Sequence, residues 1–336
     1  MAAMTDVASG GRTNSWLRVR KQSTPYVYLI PALIVMGIIT FYPLGFQVWM
    51  SLTDYGLKNL RLTAPAPTWV GLTNYISILK GDVALSDFSF WRMLAFNLFW
   101  TVSNVVLHVA IGILIAVALN VNGVWFKGIY RAIYILPIVL PQIIIAAVWR
   151  NMYDPDNGAI NQLLASVGHW FGMSAQAFHI RWIAQVDPPI PFIPLTLSYF
   201  ALLFCNIWLG WPFMTIVATG ALQSIPGDLY EAASIDGATS RQSFFKITVP
   251  LLRPAMIPAA VYGIVATFNL FNLIYLMSSG GPLRQTEILV TTAYRLVNEQ
   301  RLYGIAAAFS IIIFFVLLGL TLITNRITKA TERYDV

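Results

Sequence analysis

Apolar residues run through this chain in six long blocks, at 26–52, 93–121, 132–149, 196–222, 255–278 and 304–325, and no block contains Asp, Glu, Lys or Arg. A bilayer core of about 30 Å is crossed by roughly 20 helical residues, so each block is long enough to span it. A transmembrane barrel would instead show alternating segments of about 10 residues. Proline and glycine recur inside the blocks (Pro31, Pro43, Pro137, Pro141, Gly210, Pro212), which membrane helices tolerate because neighbouring helices satisfy the freed backbone groups. The pattern predicts an all-α membrane protein with six transmembrane helices. It divides the chain into an N-terminal segment 1–25, a transmembrane domain 26–325 and a C-terminal tail 326–336.

Composition agrees. Hydrophobic residues make up 57% of the chain and charged residues 10%, against about 25% charge in an ordinary soluble domain. With both termini on one side, basic residues are about twice as dense in the segments that include the termini as in the opposite loops, which places both termini in the cytoplasm. The net charge of +7 reflects that bias, and no clustered basic stripe of the nucleic-acid type is present. The first block follows a basic flank at 16–21 but exceeds the 7–15 residues of a signal-peptide core, so a retained helix is expected. Residues 1–15, small and polar, are expected to be disordered. Cys205 is the one cysteine, which excludes a disulfide framework or a cysteine metal cluster.

The polar stretch between the fourth and fifth blocks has an order of its own. Pro226 suits the first turn of a helix, and Asp228 and Glu231 favour its positive N-terminal end. Asp236-Gly237 supplies the left-handed position that commonly ends a helix. Thr239, three residues before Gln242, forms a capping-box pattern that restarts one. Phe244, Phe245 and Ile247 give the second helix an apolar face, and Pro250 is expected to stop it. The predicted object is two short helices over 226–250, bent at Gly237, with Glu231 exposed on the first. An amphipathic interfacial helix would look similar. That reading calls for Lys and Arg on the polar face, whereas the first helix is acidic.

The spacing Glu231-Ala-Ala233, three residues, Gly237, nine residues, Ile247, one residue, an apolar residue and Pro250 resembles the "EAA" loop of bacterial ABC importer permeases. Further matches are Tyr28-Leu-Ile-Pro31, Phe41-Tyr-Pro43, Trp149-Arg-Asn-Met-Tyr153 with Asp154-Pro155, and Gly280-Gly-Pro282. Over nearly its whole length the chain resembles the permeases of binding-protein-dependent ABC sugar importers, of the larger maltose-permease subunit (MalF-like) type. It departs from that type at Val249, where Leu is usual, and in lacking the long extracytoplasmic insertion of the enterobacterial subunit. The resemblance implies the type I ABC importer permease fold in the bacterial inner membrane. It implies that Glu231, Ala232, Ala233, Asp236 and Gly237 form the coupling site for an ATPase subunit. The implied assembly holds a second, different (MalG-like) permease, two ATPase subunits that bind ATP and Mg, and an extracytoplasmic sugar-binding protein. No cofactor or catalytic role is expected in this chain, which has no Gly-x-x-x-x-Gly-Lys-Ser/Thr phosphate loop.

Polar residues inside a membrane are costly and are functional candidates by default. Asn269 and Asn272, three apart, are expected to share one helix face, and amides suit sugar hydroxyls. Resemblance extends the candidate sugar site to Asn206, Gly210, Phe213, Phe268, Asn269 and Asn272. Phe213 and Val265 stand where the maltose subunit has Tyr and Ser. The other reading of the Asn residues, as glue between helices, stays open. His108, the one imidazole in a span, reads as a packing or hydrogen-bonding residue rather than a ligand. The outer loops 53–92, 150–195 and 279–303 are either plain connectors or contacts for an extracytoplasmic partner. Spans free of charge favour a neutral di- or oligosaccharide such as maltose, maltodextrin or trehalose over a phosphorylated solute such as glycerol-3-phosphate. They also argue against a secondary transporter, which needs intramembrane carboxylates or similar relays, and no His-Glu-x-x-His or paired carboxylates suggest an intramembrane enzyme.

Overall fold

A computed structural model describes residues 26–61, 63–121, 123 and 125–328. The expectations for 1–25 and for 329–336 lie outside these residues. Among the described residues, five helices are long and apolar enough to cross a membrane: α1 (Tyr26–Ser51), α3 (Phe90–Asn120), α7 (Leu197–Gln223), the run Ser240–Ser278 and the last helix, Tyr303–Thr328. A sixth span is formed by two half-helices, α4 (Lys127–Val139) and α5 (Gln142–Met152), bent by 99°. Short helices α2 (Thr73–Lys80) and α6 (Ala159–Trp170) cap the end of the bundle where α1 finishes. At the opposite end lies α8 (Asp228–Ile235).

The bend corrects the expectation of one continuous helix over 132–149. Leu140 and Pro141 are both extended, with ψ of 137° and 130°. Proline disfavours the helical region for the residue before it and donates no backbone hydrogen bond. Pro137, one turn earlier, stays inside α4.

The run Ser240–Ser278 departs from expectation twice. Pro250 does not stop a helix. Helix α9 (Ser240–Ser243) passes through a π-turn at Phe244–Thr248 into α10 (Val249–Phe268) without interruption. The π-turn bonds Val249 N–H to the Phe244 carbonyl, and Pro250 then falls in the first turn of α10, where a missing N–H costs least. The second departure is a break at Asn269 and Leu270, after which α11 (Phe271–Ser278) begins. Asn269 and Asn272 therefore do not share one face of a continuous helix.

The broken backbone is satisfied from another span. Asn97 of α3, fully buried, donates to the Phe268 carbonyl at 3.2 Å and accepts from Leu289 N–H at 2.9 Å. Leu289 opens α12 (Leu289–Asn298), which precedes α13 (Tyr303–Thr328). The long pair α3 and α7 forms the centre, and α10 packs against both. The two come close at Gly112: a Cβ there would sit 2.5 Å from Met214 Cβ and 2.9 Å from its backbone carbonyl carbon. Small residues at such crossings let membrane helices gain packing contacts. Helix α1 contacts mainly α13 and is exposed along most of its length.

Candidate functional site

Both broken spans contribute to one cavity of about 510 Å³. Its wall combines Leu140 and Gln142 at the α4–α5 break, Thr267 and Leu270 at the α10–α11 break, and Asn206 and Gly210 of α7. Phe213 and Tyr262 add an aromatic pair with ring centroids 5.4 Å apart. No lining residue is Asp, Glu, Lys or Arg. Solute sites in membrane transporters characteristically form where spanning helices are discontinuous.

The polar side of this cavity is built on a chain of hydrogen bonds between α3 and α7. Asn104 Nδ2 donates to the Trp100 carbonyl at 2.7 Å, and Asn206 Nδ2 donates to Asn104 Oδ1 at 2.7 Å. His108 Nε2 lies 2.9 Å from the Asn206 carbonyl. All three side chains are buried. Gly210 supplies the space for the imidazole, since a Cβ there would lie 2.2 Å from His108 Cε1.

The candidate sugar residues separate into two groups. Asn206, Gly210 and Phe213 line the cavity. Phe268 is fully buried in an apolar cluster with Leu289 and Phe309. Asn269 turns its amide toward the Val265 carbonyl at 3.4 Å. Asn272 stands outside the wall and reaches Gln142 Oε1, which is in it, at 3.5 Å. Sequence reasoning passed over Asn97, Thr101 and Asn104. Together with His108 they recur at spacings of four, three and four along α3, all buried. A polar stripe at helical period within an apolar helix was the available signal.

The predicted loop geometry is present at the α8 end. Gly237 has φ +76°. Ala238 N–H bonds to the Ala233 carbonyl at 2.9 Å and Gly237 N–H to the Ser234 carbonyl at 3.1 Å, the paired bonds of a Schellman termination. Thr239 and Gln242 close a reciprocal capping box. The Tyr230 and Thr248 hydroxyls share a 2.9 Å hydrogen bond that ties α8 to the π-turn. Glu231, Ala232, Asp236 and Gly237 are exposed and Ala233 is half-buried. Ile235, 86% exposed, adds an apolar knob beside the acidic helix. A partner would meet both.

The family model described as "Binding-protein-dependent transport system inner membrane component" matches residues 108–333. The galactooligosaccharides transport system permease protein GanP of Bacillus subtilis (strain 168) is 32% identical over 314 residues, covering 91% of this chain and 70% of its own length. The trehalose/maltose transport system permease protein MalF of Thermococcus litoralis is 30% identical over 319 residues, covering 94% of this chain and 97% of its own. Among solved structures, a chain of the bacterial alginate ABC transporter in complex with alginate pentasaccharide-bound periplasmic protein matches with TM-score 0.73 and 22% identity. The match covers 96% of this chain and 99% of that one. At that identity the likeness speaks to the fold, which is that of the permease subunits of type I ABC importers.

Proposed function

This chain belongs to the family of inner membrane components of binding-protein-dependent transport systems, and from that premise we propose that it is a permease subunit of an ATP-driven sugar importer, carrying a neutral di- or oligosaccharide of the maltose, maltodextrin or trehalose kind. The observation that carries the solute class is the cavity between the two broken spans. It offers amides, two hydroxyls, an imidazole and an aromatic pair, with no Asp, Glu, Lys or Arg on its lining. Sugars present hydroxyls and apolar ring faces, which such a surface matches. A phosphorylated solute would call for Lys or Arg. The names of the relatives, which carry galactooligosaccharides, trehalose and maltose, favour the same class.

ATP hydrolysis is assigned to separate ATPase subunits, which hold ATP and Mg. In this proposal two of them drive the complex, a second and different permease completes the pathway, and an extracytoplasmic binding protein delivers the sugar. Both termini and α8 face the cytoplasm. Glu231, Ala232, Ala233, Asp236 and Gly237 form the knuckle that an ATPase grips, Glu231 pairing there with a basic residue. Such a pair across a moving joint acts as a tether more than as a source of net stability. The conformational cycle then opens the cavity to one side of the membrane at a time.

The test is uptake of labelled maltose, trehalose and maltotriose by cells carrying the complete transporter. Substituting the ATPase subunits with hydrolysis-dead versions is expected to abolish import, while collapsing the proton gradient with ATP maintained leaves it intact. The opposite pattern would assign the chain to secondary transport. Glu231→Lys is expected to abolish import with the chain still inserted, and normal import would remove Glu231 from the coupling role.

A further inference from the structure

We propose that His108 selects the solute directly: its Nδ1 is a fixed hydrogen-bond acceptor for a hydroxyl of the sugar, with the Thr267 hydroxyl on the wall of the same cavity. The proposal rests on the importer function argued above and adds residues that the sugar-site resemblance does not include.

The assignment follows from the ring's partners. Nε2 lies 2.9 Å from the Asn206 carbonyl. A carbonyl oxygen has no proton to give, so Nε2 must carry the N–H of the neutral ring and Nδ1 is left with its lone pair. Nδ1 has no partner among the described residues, yet the one side-chain nitrogen or oxygen there that is both sealed from solvent and unpartnered is Trp100 Nε1. Nδ1 thus keeps access to solvent although His108 is only 3% exposed. The 510 Å³ cavity is the space that His108 lines.

The ring is held from two sides. The Asn206 carbonyl anchors one edge, and the Gly210 backbone closes over the ring face, with a virtual Cβ only 2.4 Å from both ring nitrogens. Its tautomer and direction are therefore set before any solute arrives, which lowers the ordering cost of binding. Thr267, 5% exposed, lines the same cavity and its hydroxyl is without a partner among the described residues. Asn206 donates from Nδ2 to Asn104 and keeps its side-chain Oδ1 as a second acceptor. Two acceptors and a rotatable hydroxyl suit a solute rich in hydroxyl donors. A site built to bond a hydroxyl rejects analogues that lack it, because its buried polar group is then left unpaired.

The experiment uses the complete transporter with the three labelled sugars, and then the imported sugar with each hydroxyl replaced singly by hydrogen. His108→Gln retains an N–H for the Asn206 carbonyl and removes the acceptor at the Nδ1 position. Transport at saturating sugar is expected to fall about three- to tenfold, the worth of one neutral hydrogen bond, with membrane accumulation unchanged. One deoxy analogue, handled about three- to tenfold worse than its parent by the unaltered transporter, is expected to be handled by His108→Gln as well as the parent. The binding protein weighs equally on both chains and cancels in that comparison. The same deoxy profile in both chains would overturn the proposal while leaving the importer reading intact. Should His108→Gln fail to accumulate, Thr267→Val, close in volume, decides: loss of discrimination at one hydroxyl supports the site and an unchanged profile overturns it. Import of none of the three sugars by the unaltered transporter would overturn the sugar reading and this proposal with it.

Discussion

Gly210 and His108 are complementary shapes, and the fit is testable in both directions. Gly210→Ala drives a methyl into the imidazole, 2.2 Å from Cε1, and such overpacking costs about 1–3 kcal/mol. The purified variant is expected to melt at a lower temperature than the unaltered protein. Adding His108→Ala to the same chain is expected to recover most of the loss, and a double variant that melts no higher would mean that Gly210 accommodates something else. Asn97 carries a different burden. Asn97→Leu keeps the branching at Cγ but strands the Leu289 N–H and the Phe268 carbonyl, at about 1–3 kcal/mol for a buried group left unpaired. Reduced accumulation in the membrane, read by immunoblot, is the expected result.

At the scale of elements, the joint between α8 and α9 depends on one backbone angle. Gly237 sits at φ +76° with no atom crowding its Cβ position, so conformation and not space is what a side chain there would violate. A non-glycine residue in the left-handed region costs roughly 1–2 kcal/mol. Gly237→Val, branched at Cβ, is expected to cut import while the chain still inserts. Uptake equal to that of the unaltered chain would show that the joint tolerates a different bend. The π-turn at Phe244–Thr248 joins α9 to α10 as one continuous helix, so a push on α9 reaches the middle of the bundle without crossing a loop.

For the whole molecule, the spans and the knuckle were legible because hydropathy, left-handed glycine and capping are local signals. The two breaks were not. Pro137 and Pro141 look alike in sequence, and a membrane helix tolerates one of them while the other ends it. The break at Asn269 contains neither proline nor glycine and depends on Asn97, which is 171 residues from Phe268 in the chain. Phe268 belongs to a run that resembles sugar-contact positions, yet the break turns its ring into the apolar cluster around Phe309. The polar stripe on α3 is visible in the sequence, but His108 by itself reads as a packing residue, and only the spacing of all four residues marks one buried face.

Helices α5 and α11, the far halves of the two broken spans, pack on each other. Arg150 of the first donates to the Leu276 carbonyl of the second at 3.3 Å. They therefore form a paired leaf mounted on two short backbone joints, at Leu140–Pro141 and Asn269–Leu270, directly above the space walled by Gln142 and Thr267. Pro141→Ala, which removes the cause of the first joint, is expected to leave the chain inserted and to stop transport. Ile145 and Trp149 of α5 and Leu273 and Ile274 of α11 share one buried apolar cluster with Trp100 of α3 and Leu202 of α7, so a swing about these joints would have to slide along the α3–α7 centre, and that shared face couples the two.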